Sequence, residues 1–316
     1  MWQERQTELI RNEIGRLLIP LSNVPDLREI INEALEKEWP RSRGEDTQRR
    51  PWPLIPLIVC ERISGHFEHA VPAAAAVELF KGAAEILDDI EDADSSESLA
   101  ALHGAAIATN AATAMLVLAE KAMADLATTG VSDACVLRVV ETANSYYTAA
   151  CAGQHLDLRH KSDISLSEET YLEIAMMRSA SHVECACCAG AILGGGDEQT
   201  VRSYSEFGRC LGIAAQIAND IRGITTGVDV AKRKVTLPVI EALAQQDGHG
   251  AGTIEEWFGG KETGADAGAV KDQLFGSGAI YYAVVKAEFY KERAFEALKR
   301  SGPTGEAMAR LKMFIE

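Results

Sequence analysis

No apolar run in this sequence reaches the roughly 18 residues that a membrane-spanning helix needs, so no membrane span is expected. The N-terminal stretch "MWQERQTELIRNEIGRLL" is charged and amphipathic, which reads against a secretory leader. Basic charge is scarce: 31 Lys and Arg stand against 47 Asp and Glu, a formal charge of −16. A phosphate polymer needs a basic surface, so no nucleic-acid partner is expected, although a few local cations can still hold a small polyanion. Strand-type alternation is almost missing, and no repeat, low-complexity tract or linker divides the chain. These absences leave a soluble, cytoplasmic, all-α protein folded as one domain over residues 1–316 as the expectation.

Cysteine chemistry is also thin. Cys185, Cys187 and Cys188 crowd into "HVECACCAGAILGG" with His182 nearby, but a structural zinc site takes two ligand pairs separated by a loop. Small buried thiols on a tightly packed helix are the expectation, and disulfides are not.

What the sequence does have is helical pattern from end to end. Helices are expected over 3–18, 25–38, 53–64, 72–93, 99–128, 132–160, 167–193, 198–222, 234–246, 265–275, 278–300 and 304–315, with breaks at segments such as "ATTGVSD", "LGGGDEQ" and "DGHGAGT". The segment "AALHGAAIATNAATAMLVLAEKAMADLA" is apolar nearly all round, and such helices belong in the middle of a large bundle. A bundle of this kind can enclose a deep apolar cavity.

Against this background "AEILDDIEDADS" stands out, because six of the ten residues from Glu85 to Asp94 are carboxylates. On a helix Asp88 and Asp92 share a face, with Asp89 one step round. Carboxylates at that spacing either face water or clamp a hard cation, and Mg²⁺ uses one or two of them together with phosphate oxygens. About 130 residues on, "QIANDIRGITTGVDVAKRKVTLP" brings Gln216, Asn219 and Asp220 to the end of an apolar helix, followed by Lys232, Arg233 and Lys234. Oxygen ligands followed by a basic loop suit a metal-bound phosphate. Between the two, "GQHLDL" places Gln154 and Asp157 on a long helix, where polar side chains need partners that a cavity mouth supplies.

From about residue 45 onward the chain resembles the trans-isoprenyl diphosphate synthase (polyprenyl synthetase) superfamily. The matching elements, in order, are "DDIED", "GQHLDL", "YLEIAMMRSA", "QIANDI" with "DVAKRKVTLP", and "GSGAIYYAVVKAEFYKERAFEAL". The resemblance implies an isoprenoid-synthase-type bundle with a central cavity, three Mg²⁺ ions at its mouth, an allylic isoprenyl diphosphate as substrate, and a homodimer. Carried over by position, Asp88 and Asp92 bind metal with Asp89 behind them, and Asn219, beside Asp220, takes the metal-facing place of the second acidic motif. Arg178 and Lys234 stand at diphosphate-binding lysines, while Gln154, Asp157, Ser179 and Gln216 line the mouth.

The departures fall mainly on the site for a second diphosphate, that of isopentenyl diphosphate. Its glycine-lysine-arginine element is reduced to "RRPWP", with Arg49 and Arg50 as remaining cations, and its histidine becomes Lys81. The second acidic motif carries Asn219 for its first Asp and Gly223 for its last. The leading expectation is therefore a class I terpene synthase, ionising one allylic diphosphate and cyclising the cation. The alternatives are chain elongation with isopentenyl diphosphate, prenyl transfer to a peptide, or a non-catalytic subunit. Phe80, Ala83 and Ala84 lie eight, five and four residues before Asp88, pointing along the cavity, and the two alanines favour a C20 or longer substrate by analogy with chain-length control in the family.

Overall fold

The computed structural model describes residues 2–38, 51–92, 98–245, 251–260, 266–302 and 305–315, with the side chains of residues 37, 38, 92 and 251 left aside. All regular structure in them is helical. In chain order the helices are α1 (Trp2–Leu17), α2 (Pro25–Glu38), α3 (Ile55–Ser64), α4 (Val71–Asp92), α5 (Leu99–His103), α6 (Ala105–Asp125), α7 (Asp133–His160) and α8 (Glu168–Ala175). They continue with α9 (Ser181–Leu193), α10 (Glu198–Thr226), α11 (Val228–Ala231), α12 (Leu237–Ala244), α13 (Ala251–Phe258), α14 (Ala267–Gly276), α15 (Ala279–Arg300) and α16 (Glu306–Lys312). No helix among the described residues is long and apolar enough to cross a membrane.

The starts of these helices follow from local chemistry. Ser132, Ser167 and Asp197 sit in extended backbone and accept hydrogen bonds from the N–H groups of Cys135, Thr170 and Thr200, satisfying donors that α7, α8 and α10 would otherwise leave open. α10 ends at Gly227, whose φ of +84° closes the helix in a left-handed turn.

Packing is helix on helix. α4 lies along α6, and α10 lies along both α9 and α15, with α7 also against α9. α9 is buried from Val183 to Leu193, which accounts for its small residues and its cysteines. All seven cysteines are free, and burial holds the Cys185, Cys187 and Cys188 thiols well above their ordinary pKa, so they act as apolar packing. One apolar cluster surrounds α3, α4, α6 and α9; a second gathers α8, the C-terminal half of α10, and α12 to α15. The mouth described below lies where α4, α7 and α10 converge on the segment between α8 and α9.

Several boundaries differ from the sequence expectation, among them α10, which runs to Thr226 rather than ending at 222, and α12, which starts at Leu237 rather than 234. The helix expected over 99–128 breaks at Gly104, where φ is +88°. Residues 251–258, which overlap the expected break "DGHGAGT" and lie outside every expected helix, form α13, with Ile254 and Phe258 buried in the second cluster. Between Met176 and Ala180 the helix expected over 167–193 widens into a π-turn, a wider spacing that residue periodicity does not encode.

Candidate active site

The π-turn carries Arg178 and Ser179, and two glycines hold it in place. A Cβ at Gly153 of α7 would lie 2.4 Å from the Arg178 backbone nitrogen, and one at Gly212 of α10 would lie 2.4 Å from Ala180 Cα. Only glycine at both positions lets the two long helices close on the π-turn from opposite sides. Arg178 thereby points at α4: its Nη2 lies 2.7 Å from Asp88 Oδ2, and its Nη1 lies 3.0 Å from Asp157 Oδ2 on α7. Lys234 Nζ approaches the same Asp157 oxygen at 3.6 Å. Burial and the neighbouring Arg178 work against charge on Lys234, but Asp157, Asp220 and Asp229 hold its pKa above the ordinary lysine value.

The second acidic segment closes the other wall. Asp220 is 3% exposed and accepts hydrogen bonds from Tyr171 Oη at 2.6 Å and Gln216 Nε2 at 2.7 Å, and the Gln216 amide oxygen accepts from Ser179. Burial raises the Asp220 pKa to about 6, and the charge on Asp229 adds to the rise, while Lys234, Tyr171 and Gln216 oppose it. Burial and the Asp220 carboxylate likewise keep Tyr171 protonated, so it serves as a donor. Asn219, one residue before Asp220, is exposed.

Asp157, Arg178, Ser179, Gln216, Asp220 and Lys234 thus share one small cavity of about 20 Å³, with His160, Tyr171 and Thr236 completing its polar lining. That volume is about enough for a single water. Gln154 lies nearby, donating from Nε2 to Glu91 at 2.8 Å, so Glu91, though exposed, bridges α4 to α7. Lys81 forms an ion pair with Glu85 one turn on. Asp88 and Asp89 are half-buried. Asp92 lies in α4 with its side chain outside the described residues, and Arg49 and Arg50 also fall outside them.

Two turns below Asp88, Phe80 stacks on Tyr147 of α7 with ring centroids 3.5 Å apart and planes at 25°. Tyr147 also packs on His182, whose pKa burial depresses to about 4, helped by the charges of Lys81 and Arg178, so the imidazole is neutral. Ala83 is fully buried and Ala84 half-buried, between Phe80 and Asp88.

Sequence reasoning did not single out Tyr171, His160, Thr236 or Tyr147's pairing with Phe80. Tyr171 and Thr236 lie within quoted motifs, "YLEIAMMRSA" and "KVTLP", and were legible as such. The Phe80–Tyr147 contact joins residues 67 positions apart and has no local signal.

Among the described residues no three His, Cys, Asp or Glu side chains are gathered into a group able to hold a metal unaided. The donor set nevertheless fits a magnesium–diphosphate group. Thr236 Oγ1 and Gln154 Oε1 are buried with no hydrogen-bond partner, and carboxylates on α4 and α10 are interleaved with the cations Arg178 and Lys234. Mg²⁺ commonly takes few protein carboxylates and completes its shell with substrate phosphate oxygens and water.

An all-α bundle that brings acidic helices and cations to a common mouth has the isoprenyl synthase architecture. The chain belongs to the polyprenyl synthetase family, whose model matches residues 50–274. It is 30% identical over 212 residues to a short chain isoprenyl diphosphate synthase of Methanothermobacter thermautotrophicus, covering 60% of this chain and 62% of that protein. Thus this match spans less than two thirds of that relative's length. It is 28% identical over 237 residues to a geranylgeranyl diphosphate synthase of Methanosarcina mazei, covering 70% of this chain and 73% of the relative. The crystal structure of geranylgeranyl pyrophosphate synthetase from Pyrococcus horikoshii superposes with a TM-score of 0.84 at 25% identity, over 98% of this chain and 94% of that one.

Proposed function

We propose that the protein is a Mg²⁺-dependent prenyltransferase that condenses an allylic isoprenyl diphosphate with isopentenyl diphosphate. The observation that carries this reading is the bridging of Asp88 and Asp157 by Arg178, with Lys234 on the same Asp157 and Asp220 on the opposite wall. Elongation replaces the cyclisation that the sequence put first, because the curated relatives are named as isoprenyl and geranylgeranyl diphosphate synthases.

In this reading Asp88, Asp89 and Asp92 on α4, with Asn219 and Asp220 on α10, hold the metal, and Arg178 and Lys234 bind diphosphate oxygens. Gln154, Asp157, Ser179 and Gln216 orient those groups. Magnesium supplies charge neutralisation of the departing diphosphate. The allylic C1–O bond breaks, the isopentenyl alkene forms a new carbon–carbon bond at C1, and a proton leaves the isopentenyl unit. Positive charge placed where diphosphate charge grows lowers the barrier, and a closed mouth keeps water from the allylic cation. Arg49, Arg50 and Lys81 are proposed for the isopentenyl diphosphate.

The tail is proposed to run from Asp88 past Ala84 and Ala83 toward the Phe80–Tyr147 stack, and the two small side chains ahead of that aromatic pair support a C20 product. A single isoprenoid synthase domain over residues 1–316, three ions, and a cytoplasmic homodimer belong to the same proposal; the exposed Ile107 and Val117 on α6 offer apolar surface for a second copy.

Cyclisation remains the second reading, favoured by one observation: Lys81, a cation left for the isopentenyl site, is engaged by Glu85. Incubation with Mg²⁺ and farnesyl or geranylgeranyl diphosphate, with and without isopentenyl diphosphate, separates the two. A longer diphosphate formed only with the second substrate supports elongation; a hydrocarbon or alcohol formed without it supports cyclisation.

A further inference from the structure

His182 is a titratable group beside the site that the proposed reaction leaves without a task. It follows Arg178 by four residues, at the start of α9. The charges of Lys81 on α4 and of Arg178 both act on its ring. The imidazole therefore lies near the cation proposed for isopentenyl diphosphate and also near the one proposed for the allylic diphosphate. The ring is half-buried; among the described residues no hydrogen bond reaches either nitrogen, and neither is sealed off by packing. Polar atoms in the interior of a bundle are normally paired, so these nitrogens are open to a group that the protein itself does not supply.

The ring's position and its protonation state are both set by its neighbours. Tyr147 of α7 packs on it with centroids 5.6 Å apart and planes at 53°, and Tyr147 is stacked in turn on Phe80 of α4. Side chains from three helices thus hold the imidazole in line. Burial, then the charges of Lys81 and Arg178, keep it unprotonated, with a pKa of about 4. Burial keeps the Tyr147 hydroxyl protonated, so of this pair only His182 can accept a proton.

We propose that His182 is the general base of the condensation and takes the proton that leaves C2 of the isopentenyl unit. The proposal rests on the function proposed above. Once C1 of the allylic substrate has bonded to C4 of the isopentenyl unit, positive charge sits on C3. The electrons of the C2–H bond become the new C2=C3 double bond, and the proton passes to a ring nitrogen of His182. A C–H bond beside a carbocation is acidic enough for a weak base, and a weakly basic imidazole readily hands the proton on to the departing diphosphate.

The test uses the full-length protein with Mg²⁺, farnesyl diphosphate, and isopentenyl diphosphate carrying either hydrogen or deuterium at C2. His182→Phe keeps a ring against Tyr147 and removes both nitrogens. It should lower kcat about a hundredfold, the lower end of what a general base contributes, while the KM for isopentenyl diphosphate is unchanged. The deuterium isotope effect on kcat should rise above the wild-type value, because deprotonation becomes the slow step. In His182→Ala, added imidazole should restore turnover. Calorimetry of Mg²⁺ with methylenediphosphonate, a diphosphate that cannot be hydrolysed, should give wild-type affinity in both variants. Wild-type kcat in His182→Phe would overturn the proposal. So would a loss of turnover with an unchanged isotope effect and no response to imidazole, which is the signature of a packing role. If the wild-type protein makes no longer diphosphate from these substrates, the proposed function fails; if it does and His182→Phe matches it, only this proposal fails.

Discussion

Arg178 Nη2 sits 2.7 Å from Asp88 Oδ2, so the cation of the π-turn is paired with the first acid of the α4 motif. Because Arg178 also holds Asp157, one guanidinium ties α4 to α7 across the mouth. In the proposed function Asp88 would hold the metal and Arg178 the diphosphate, so this pairing would compete with both ligands and would be relieved when both are bound.

That competition gives opposite signs for two binding constants. Arg178→Ala should strengthen binding of Mg²⁺ alone, by removing the competing cation. It should weaken methylenediphosphonate at saturating Mg²⁺ by tenfold or more, as loss of a charged hydrogen bond costs about 1.5–3 kcal/mol. Calorimetry with each ligand measures both, and two changes of the same sign would contradict the account.

Asp220 predicts a pH dependence. Its folded-state pKa of about 6 lies above the ordinary carboxylate value of 3.8, so the folded chain keeps a proton that the unfolded chain releases. The stability this contributes is complete below about pH 4 and is lost as pH rises through 6. Relative to Asp220→Asn, the wild type should therefore lose stability between pH 4 and 7, by at most about 3 kcal/mol at 1.4 kcal/mol per unit. Urea denaturation of both proteins across that range checks it; parallel profiles would contradict it. Mg²⁺ binding with methylenediphosphonate should weaken in the wild type as pH falls below 6.

Much of this site was legible in sequence. Asp157, Arg178, Ser179, Gln216, Asp220 and Lys234, each visible in a local motif, are brought to one cavity wall, whereas Asn219 is exposed and the Asp92 side chain lies outside the described residues. The helical pattern carried most of the fold in the same way. What could not be read were contacts made by distance and backbone shape. The π-turn that aims Arg178 depends on Gly153 and Gly212 in two other helices, and Asp229 reaches the space beside Gly223 only through the turn at Gly227.

Gly153 offers a test of the π-turn's role. Gly153→Ala places a methyl 2.4 Å from the Arg178 nitrogen and 2.7 Å from the Met177 carbonyl carbon, and backbone cannot yield there cheaply. It should destabilise the fold by about 1–3 kcal/mol and weaken diphosphate binding. Gly15→Ala, in α1 with open space around it, should instead stabilise by about 0.5–1 kcal/mol. Thermal denaturation distinguishes them, and equal effects would contradict the close-packing argument.

Phe80 sets the floor of the proposed tail site. Phe80→Ala should cost about 3–5 kcal/mol of stability, as a buried aromatic removed from the core does, and should shift products toward chains longer than C20. Chromatography of dephosphorylated products measures the shift, and an unchanged product length would place the floor elsewhere.

The proposed condensation is tested most directly by following radiolabelled isopentenyl diphosphate. With Mg²⁺ and farnesyl diphosphate, label should pass into an acid-labile allylic diphosphate one isoprene unit longer, and Asp88→Ala should abolish the transfer without loss of helicity. Absence of label from every chain product, alongside turnover of farnesyl or geranylgeranyl diphosphate to a hydrocarbon, would contradict elongation.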